Sequence, residues 1–114
     1  RLGGLDERYF MYGEDTDRSL RAWQTGYRPV ICPDAKVIHE VGQSSSTPLH
    51  KALLLYRGKA SYVRARWTGV SRWIGLVLLK TGVALRAAAA VLLRGKNQTW
   101  RELWRRRATW SSGY

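Results

Sequence analysis

The chain is poor in cysteine, in acidic residues beyond its first third, and in uninterrupted apolar runs. A single cysteine, Cys32, excludes an intramolecular disulfide framework and a cysteine-rich zinc site. Only 8 residues are Asp or Glu, against 20 Lys or Arg, so the formal net charge is +12. No signal-peptide pattern opens the sequence, which starts at Arg1 and runs at once into Gly3-Gly4 and a stretch rich in aromatics. This start predicts a fragment of a longer protein. What is present argues against disorder: 45% of the 114 residues are hydrophobic, enough for a core and for one domain at most.

The charge is unevenly spread. Residues 1–40 hold 6 basic and 7 acidic side chains, a net −1. Residues 41–114 hold 14 basic side chains and one acid, Glu102, a net +13. An acid-rich head is thus joined to a basic, aromatic tail. An imbalance over more than 70 residues exceeds an ordinary solvated charge run. It points to an anionic surface, membrane or nucleic acid.

Periodicity predicts helix, strand, strand across the head, the closing part of an α/β domain. Residues 14–25 read as a helix with acids in its first turn, where the dipole favours them, and Gly26 suits its C-terminal end. Residues 27–32 read as a strand ending at Pro33, and 36–41 alternate as a second strand. Residues 42–48 are a Gly/Ser loop. Beyond it, Leu53, Tyr56, Ala60, Val63 and Trp67 form one stripe of a helix over 49–67, with Arg57 and Arg64 on a second face. Gly69 breaks this helix. Residues 71–94 form a longer apolar helix, and 99–110 a short basic one. The organisation expected is therefore a head over 1–48 and a helical basic tail over 49–114.

Twenty-one residues lie between Arg72 and Arg94, close to the length that spans a bilayer. Lys80 and Arg86 interrupt them, and each costs about 2.5–3.5 kcal/mol at a bilayer centre. At 100° per residue, Arg72, Lys80, Arg86 and Arg94 fall within an arc of about 120°, together with Leu76, Leu79 and Val83. A basic stripe beside a face containing Trp73 suits a helix lying in an anionic membrane interface. Packing on the head and spanning are the alternatives.

The strongest local chemistry is Glu14, Asp15 and Asp17. Capping explains one or two carboxylates at a helix start. A third suggests a carboxylate at a cleft edge, able to act as general base or to help hold a metal. Arg18 and Arg21 lie one turn on. His39, at a strand end before a Gly/Ser loop, is the second candidate, although a lone histidine on a strand is usually packed or solvent-facing.

The segment GGLDERYFMYGEDTDRSLRAWQTGYRPVICPDAKVIHEVGQSS, Gly3–Ser45, resembles the closing segment of family 2 glycosyltransferases of GT-A fold, nearest to their bacterial rhamnosyltransferase-like branch. The shared pattern runs from Gly3-Gly4-Leu5-Asp6-Glu7 through Gly13-Glu14-Asp15-Thr16-Asp17, Arg21, Gly26-Tyr27 and Pro33-Asp34-Ala35 to His39. The tail is similar too, in Tyr56–Tyr62 and in a Trp/Arg-rich end from Trp100 to Tyr114. The resemblance implies an α/β, Rossmann-like GT-A domain end followed by amphipathic helices. It implies an inverting transferase that moves a sugar from a nucleotide-sugar to a hydroxyl of a lipid-linked or glycan acceptor, in cell-envelope polysaccharide synthesis. Asp15 would be the general base and Glu14 would contact the acceptor or orient the base. Asp17 and Arg21 would hold the loop–helix junction. His39 would lie near the diphosphate and its divalent cation, magnesium or manganese. Arg72, Trp73, Lys80, Arg86 and Arg94 would face the inner surface of a bacterial plasma membrane from the cytoplasm. The family's donor half, a βαβ region with its own Asp-x-Asp, is missing, so this segment alone is expected to be inactive. The competing function is a non-catalytic module that binds nucleic acid or membrane through the Trp/Arg tail.

Overall fold

A computed structural model describes residues 2–28, 30–38, 47–93 and 98–114. Five helices follow one another: α1 (Glu14–Gln24), α2 (Pro48–Arg66), α3 (Gly69–Leu92), α4 (Gln98–Arg105) and α5 (Arg107–Ser111). Local chemistry sets their ends. Three acids occupy the first turn of α1, and Gly26, at φ 86°, takes the left-handed conformation just past its end. Thr47 caps α2 by accepting the His50 N–H at 3.1 Å, with Pro48 at the first helical position. Trp67 and Thr68 are extended, and Gly69, at φ 51°, turns the chain into α3. Arg106 separates α4 from α5 within the stretch expected to be one helix.

The α/β expectation does not hold. Among the described residues there is no strand, and the architecture is all helical. Within the expected strands at 27–32 and 36–41, the described residues run without helix or ladder, while 29 and 39–41 lie outside the described residues. The physical reason is the lack of a sheet to join. Strand-forming side chains express that preference by packing on neighbouring strands, and an isolated pair of strands is marginal in water. Ile31 and Ile38 accordingly stand 94% and 97% exposed.

The centre of the molecule is α2. It packs against α1, α3, α4 and α5, and α3 packs along α4. The core joins Tyr56 of α2, Val83 of α3, Leu103 of α4 and Trp110 of α5, with Leu53, Leu79 and Trp100 packed around them. Tyr56 meets Trp110 at 5.2 Å between ring centroids and Trp100 edge-on at 6.2 Å. The Trp110 indole N–H donates to the Leu103 carbonyl at 2.8 Å, so a nearly fully buried indole keeps its hydrogen bond.

One glycine sets how closely the head approaches α2. A Cβ at Gly58 would lie 1.9 Å from the Tyr12 carbonyl oxygen, an impossible contact with backbone. Alanine in mid-helix gains about 1 kcal/mol of intrinsic helix preference over glycine. Forcing the loop outward costs more, about 1–3 kcal/mol for overpacking of this kind. Gly58→Ala is therefore expected to lower stability despite its better helix propensity. Urea denaturation checks this, and a stabilised variant would contradict the packing.

Candidate functional site

The Glu14–Asp17 turn sits at the start of α1, on a loop held from three sides. Tyr12 takes a left-handed conformation at φ 65° and Gly13 follows at φ 105°. A Cβ on Gly13 would press to 3.0 Å from the Tyr9 ring and 3.1 Å from the Gly58 carbonyl oxygen. A side chain is thus excluded from Gly13 by space as well as by backbone conformation.

Asp17 is fully buried, and both its oxygens are engaged. Arg21 Nε donates to Oδ2 at 2.8 Å, and Arg66 Nε of α2 donates to Oδ1 in a short contact. The Tyr9 hydroxyl lies 3.4 Å from the same Oδ1. Arg21 continues outward: its Nη1 donates to the Leu2 carbonyl and its Nη2 to the Gly4 carbonyl, at 2.5 and 2.8 Å. One carboxylate therefore ties α1 to α2, and through Arg21 to the Gly3-Gly4 loop. Burial pushes the Asp17 carboxyl up, but the hydrogen bonds and charges of Arg66 and Arg21 outweigh it and hold the carboxyl below its usual range. Burial, reinforced by the Asp17 charge, pushes the Tyr9 phenol up to about 12.

The C-terminus closes the same loop from the other side. The Tyr114 hydroxyl donates to the Met11 carbonyl at 2.8 Å, and its ring lies 6.5 Å from that of Phe10. Helix α2 fixes this tail with three hydrogen bonds. Arg57 Nε donates to the Gly113 carbonyl at 2.9 Å, and Arg64 Nε to the Ser111 carbonyl at 3.0 Å. The Tyr114 N–H donates to Ser61 Oγ at 2.7 Å. The Arg57 guanidinium also stacks 4.7 Å above the Tyr114 ring.

The other two acids of the turn are differently placed. Asp15 is exposed, at the positive end of α1. Glu14 is half-buried, and among the described residues its buried Oε2 has no hydrogen-bond partner. A buried carboxylate oxygen without a donor carries its desolvation cost uncompensated.

No metal site forms here: among the described residues, no three His, Cys, Asp or Glu side chains come together. Both Asp17 oxygens are committed to arginine, which leaves two carboxylates on this turn. His39 lies outside the described residues, as does Arg94. Of the side chains expected to face a membrane, Arg72, Trp73, Lys80 and Arg86 are all exposed on α3. Arg72 donates to the Trp67 carbonyl at 2.8 Å. Arg86 donates to the Gly82 carbonyl at 2.9 Å and stacks 5.2 Å from Trp100. The arc that contains both arginines also contains the buried Val83 and the core-packed Leu79.

Arg66 was not legible as a partner of Asp17. Forty-nine positions separate them, and Arg66 is one of many basic residues in the tail. The Arg57/Arg64 pair did carry a signal, since a seven-residue spacing on a face separate from the apolar stripe marks two side chains that act together.

The chain is 32% identical, over 93 residues, to an N-acetylglucosaminyl-diphospho-decaprenol L-rhamnosyltransferase of Mycobacterium tuberculosis, in each of two strains. The match takes in 76% of this chain and 29% of the relative, so the chain spans under a third of the curated relatives' length. It supports a glycosyltransferase relationship. No protein-family model and no solved structure matches the chain.

The buried Asp17 predicts an acid-side dependence. Its folded-state pKa lies below the unfolded 3.8, so its contribution is complete above that value and is lost as pH falls through the folded pKa. Asp17→Asn leaves two guanidiniums unpaired, and the expected loss is about 3 kcal/mol, the low end for a broken buried pair because both arginines keep some water. Urea midpoints from pH 7 down to pH 2 test this. The variant's deficit should be constant near neutrality and shrink below pH 3.8.

Proposed function

We propose that this segment is the acceptor-side part of an inverting glycosyltransferase that acts on a lipid-linked glycan in cell-envelope polysaccharide synthesis. The observation that carries the reading is an exposed carboxylate, Asp15, at the positive end of α1, on a turn held by the Asp17, Arg21 and Arg66 contacts. Asp15, open to solvent, takes the proton from the acceptor hydroxyl. The oxygen then attacks the anomeric carbon of the donor sugar from the face opposite the departing nucleoside diphosphate, and the configuration inverts. Glu14, half-buried beside Asp15, contacts the acceptor or orients the base. Asp17 and Arg21 touch no reacting atom in this reading. They hold the turn in place.

The name of the mycobacterial relative supports a sugar-diphosphate-lipid as the acceptor class. A divalent cation and the nucleotide-sugar belong, in this reading, to residues beyond the described turn, with His39 facing the diphosphate. No step here runs through the cation. We place the reaction on the cytoplasmic face of a bacterial plasma membrane, where such an acceptor is anchored. The nucleic-acid alternative is weakened by the tail's aromatics. Trp110 is buried and Trp100 packs on the core, so neither is open for base stacking.

The test is a chimera in which these residues replace the matching segment of the mycobacterial rhamnosyltransferase. Transfer to the lipid-linked acceptor is expected to persist, and Asp15→Asn in the chimera is expected to lower kcat by about 10²–10⁴, the range for loss of a general base. An active chimera indifferent to Asp15→Asn would remove Asp15 as the base. A folded but inactive chimera would count against equivalence of the segments.

A further inference from the structure

Helix α3 carries its apolar surface on the outside. At 100° per residue, Val70, Trp73, Ile74, Leu78, Leu85 and Leu92 fall within an arc of about 140°, and no charged residue of α3 lies in it. The structure leaves this arc uncovered: Trp73 is 66% exposed, Leu78 63%, Leu85 66% and Leu92 81%. The opposite side, through Gly75, Val83 and Ala87, packs on the rest of the protein. The open strip runs the length of a 24-residue helix, about 36 Å at 1.5 Å per residue. An apolar strip of this length, interrupted only by Thr81, on a chain of net charge +12 is not an ordinary solvent face.

Cations edge the strip on one side. Lys80 is exposed just outside the arc. Nearer the C-terminal end, a cleft of about 300 Å³ between α3 and α4 has a floor of Ala84, Ala87 and Ala88, with Arg101, Trp104 and Arg105 of α4 along its other wall. Among the described residues, the Arg101 side chain makes no ion pair or hydrogen bond, and that of Arg105 has only a 3.7 Å approach to Glu102. Ala88 also belongs to the open arc, so the cleft and the strip are continuous.

We propose that the open face of α3 is a seat for an anionic lipid leaflet, with the helix lying in the interface and Arg101 and Arg105 holding lipid phosphates along its edge. The apolar strip enters the acyl region and the guanidiniums stay at headgroup depth, the arrangement an interfacial amphipathic helix requires. Charge complementarity selects a lipid surface over a second copy of this chain: two copies meeting strip to strip would also bring their arginine edges together. Helix α3 is long and apolar enough to span a bilayer by length and composition. Its packed side, however, holds the core residue Val83 against α2 and α4. The proposal deepens the membrane placement given above but does not depend on Asp15.

The test is vesicle flotation of the full chain with phosphatidylcholine vesicles and with vesicles containing 30% phosphatidylglycerol, over a salt series. Binding to the anionic vesicles is expected, weakening as salt rises. Leu78→Glu/Leu85→Glu, both at exposed positions, should weaken it at least tenfold. Arg101→Ala/Arg105→Ala should remove most of the preference for phosphatidylglycerol and leave the weaker phosphatidylcholine binding in place. Circular dichroism should show all variants helical. Asp15→Asn should bind like the unmodified chain, which separates this result from the transfer assay. The proposal is overturned by glutamate variants that bind undiminished, or by a chain that ignores vesicles and sediments as a dimer split by those variants. Equal binding to both vesicle types, unchanged in the arginine variant, would also overturn it.

Discussion

The arrangement of the head depends on one buried carboxylate. Asp17 has no exposed surface and must be compensated, and the structure brings it two guanidiniums from opposite directions. Arg21 comes from its own helix, four residues on, and reaches back to the carbonyls of Leu2 and Gly4. Arg66 comes from the far end of α2. Without Asp17 the two cations would face each other, and α1, which packs on no helix but α2 among the described residues, would lose its main polar tie. A buried pair of this kind is a costly way to gain stability. What it supplies here is position: it fixes which side of α1 faces α2, and therefore which of the three acids of the turn is left outward.

The second constraint is steric. Gly58 lets the Tyr12–Gly13 backbone sit directly on α2, and Gly13 leaves room for the Tyr9 ring. The chain's last residues then close over the loop, with Tyr114 bonded to Met11 and clamped by Arg57. Arg57 both bonds the Gly113 carbonyl and stacks on the Tyr114 ring, because a guanidinium can hydrogen-bond in its plane and stack on its face at once. Much of the basic excess after residue 40 thus divides between structural arginines on α2 and exposed cations on α3 and α4.

Where the sequence was legible, a local period or cap decided the outcome. The acidic turn opens α1, and Tyr56, Ala60 and Val63 form the buried face of α2. The two strands were misread because alternation of Val and Ile describes a side-chain preference, and a sheet also needs a neighbour. Helix α3 shows a different limit. A wheel can sort side chains into faces, but it cannot say which face the protein covers. Helix α4 packs on the side that holds Val83, where Arg86 stacks near Trp100, and the apolar arc is left outward. The pairing of Asp17 with Arg66 was invisible for the same reason, since nothing local links two positions 49 apart. The turn that carries Asp15 was legible as a motif, whereas the unpartnered oxygen of Glu14 beside it required coordinates.

Arg66, far along the chain, holds the acidic turn in place. Amide hydrogen exchange on the chain with Arg66→Met tests this most directly, because that substitution leaves the turn's own sequence untouched. The Asp17 N–H, bonded to the Gly13 carbonyl at 2.9 Å, and the Tyr9 N–H, bonded to the Asp6 carbonyl at 3.1 Å, report on the turn and its loop. Both are expected to exchange markedly faster in the variant while amides of α3 and α4 keep their protection. Unchanged exchange at Asp17 and Tyr9 would contradict this role of Arg66.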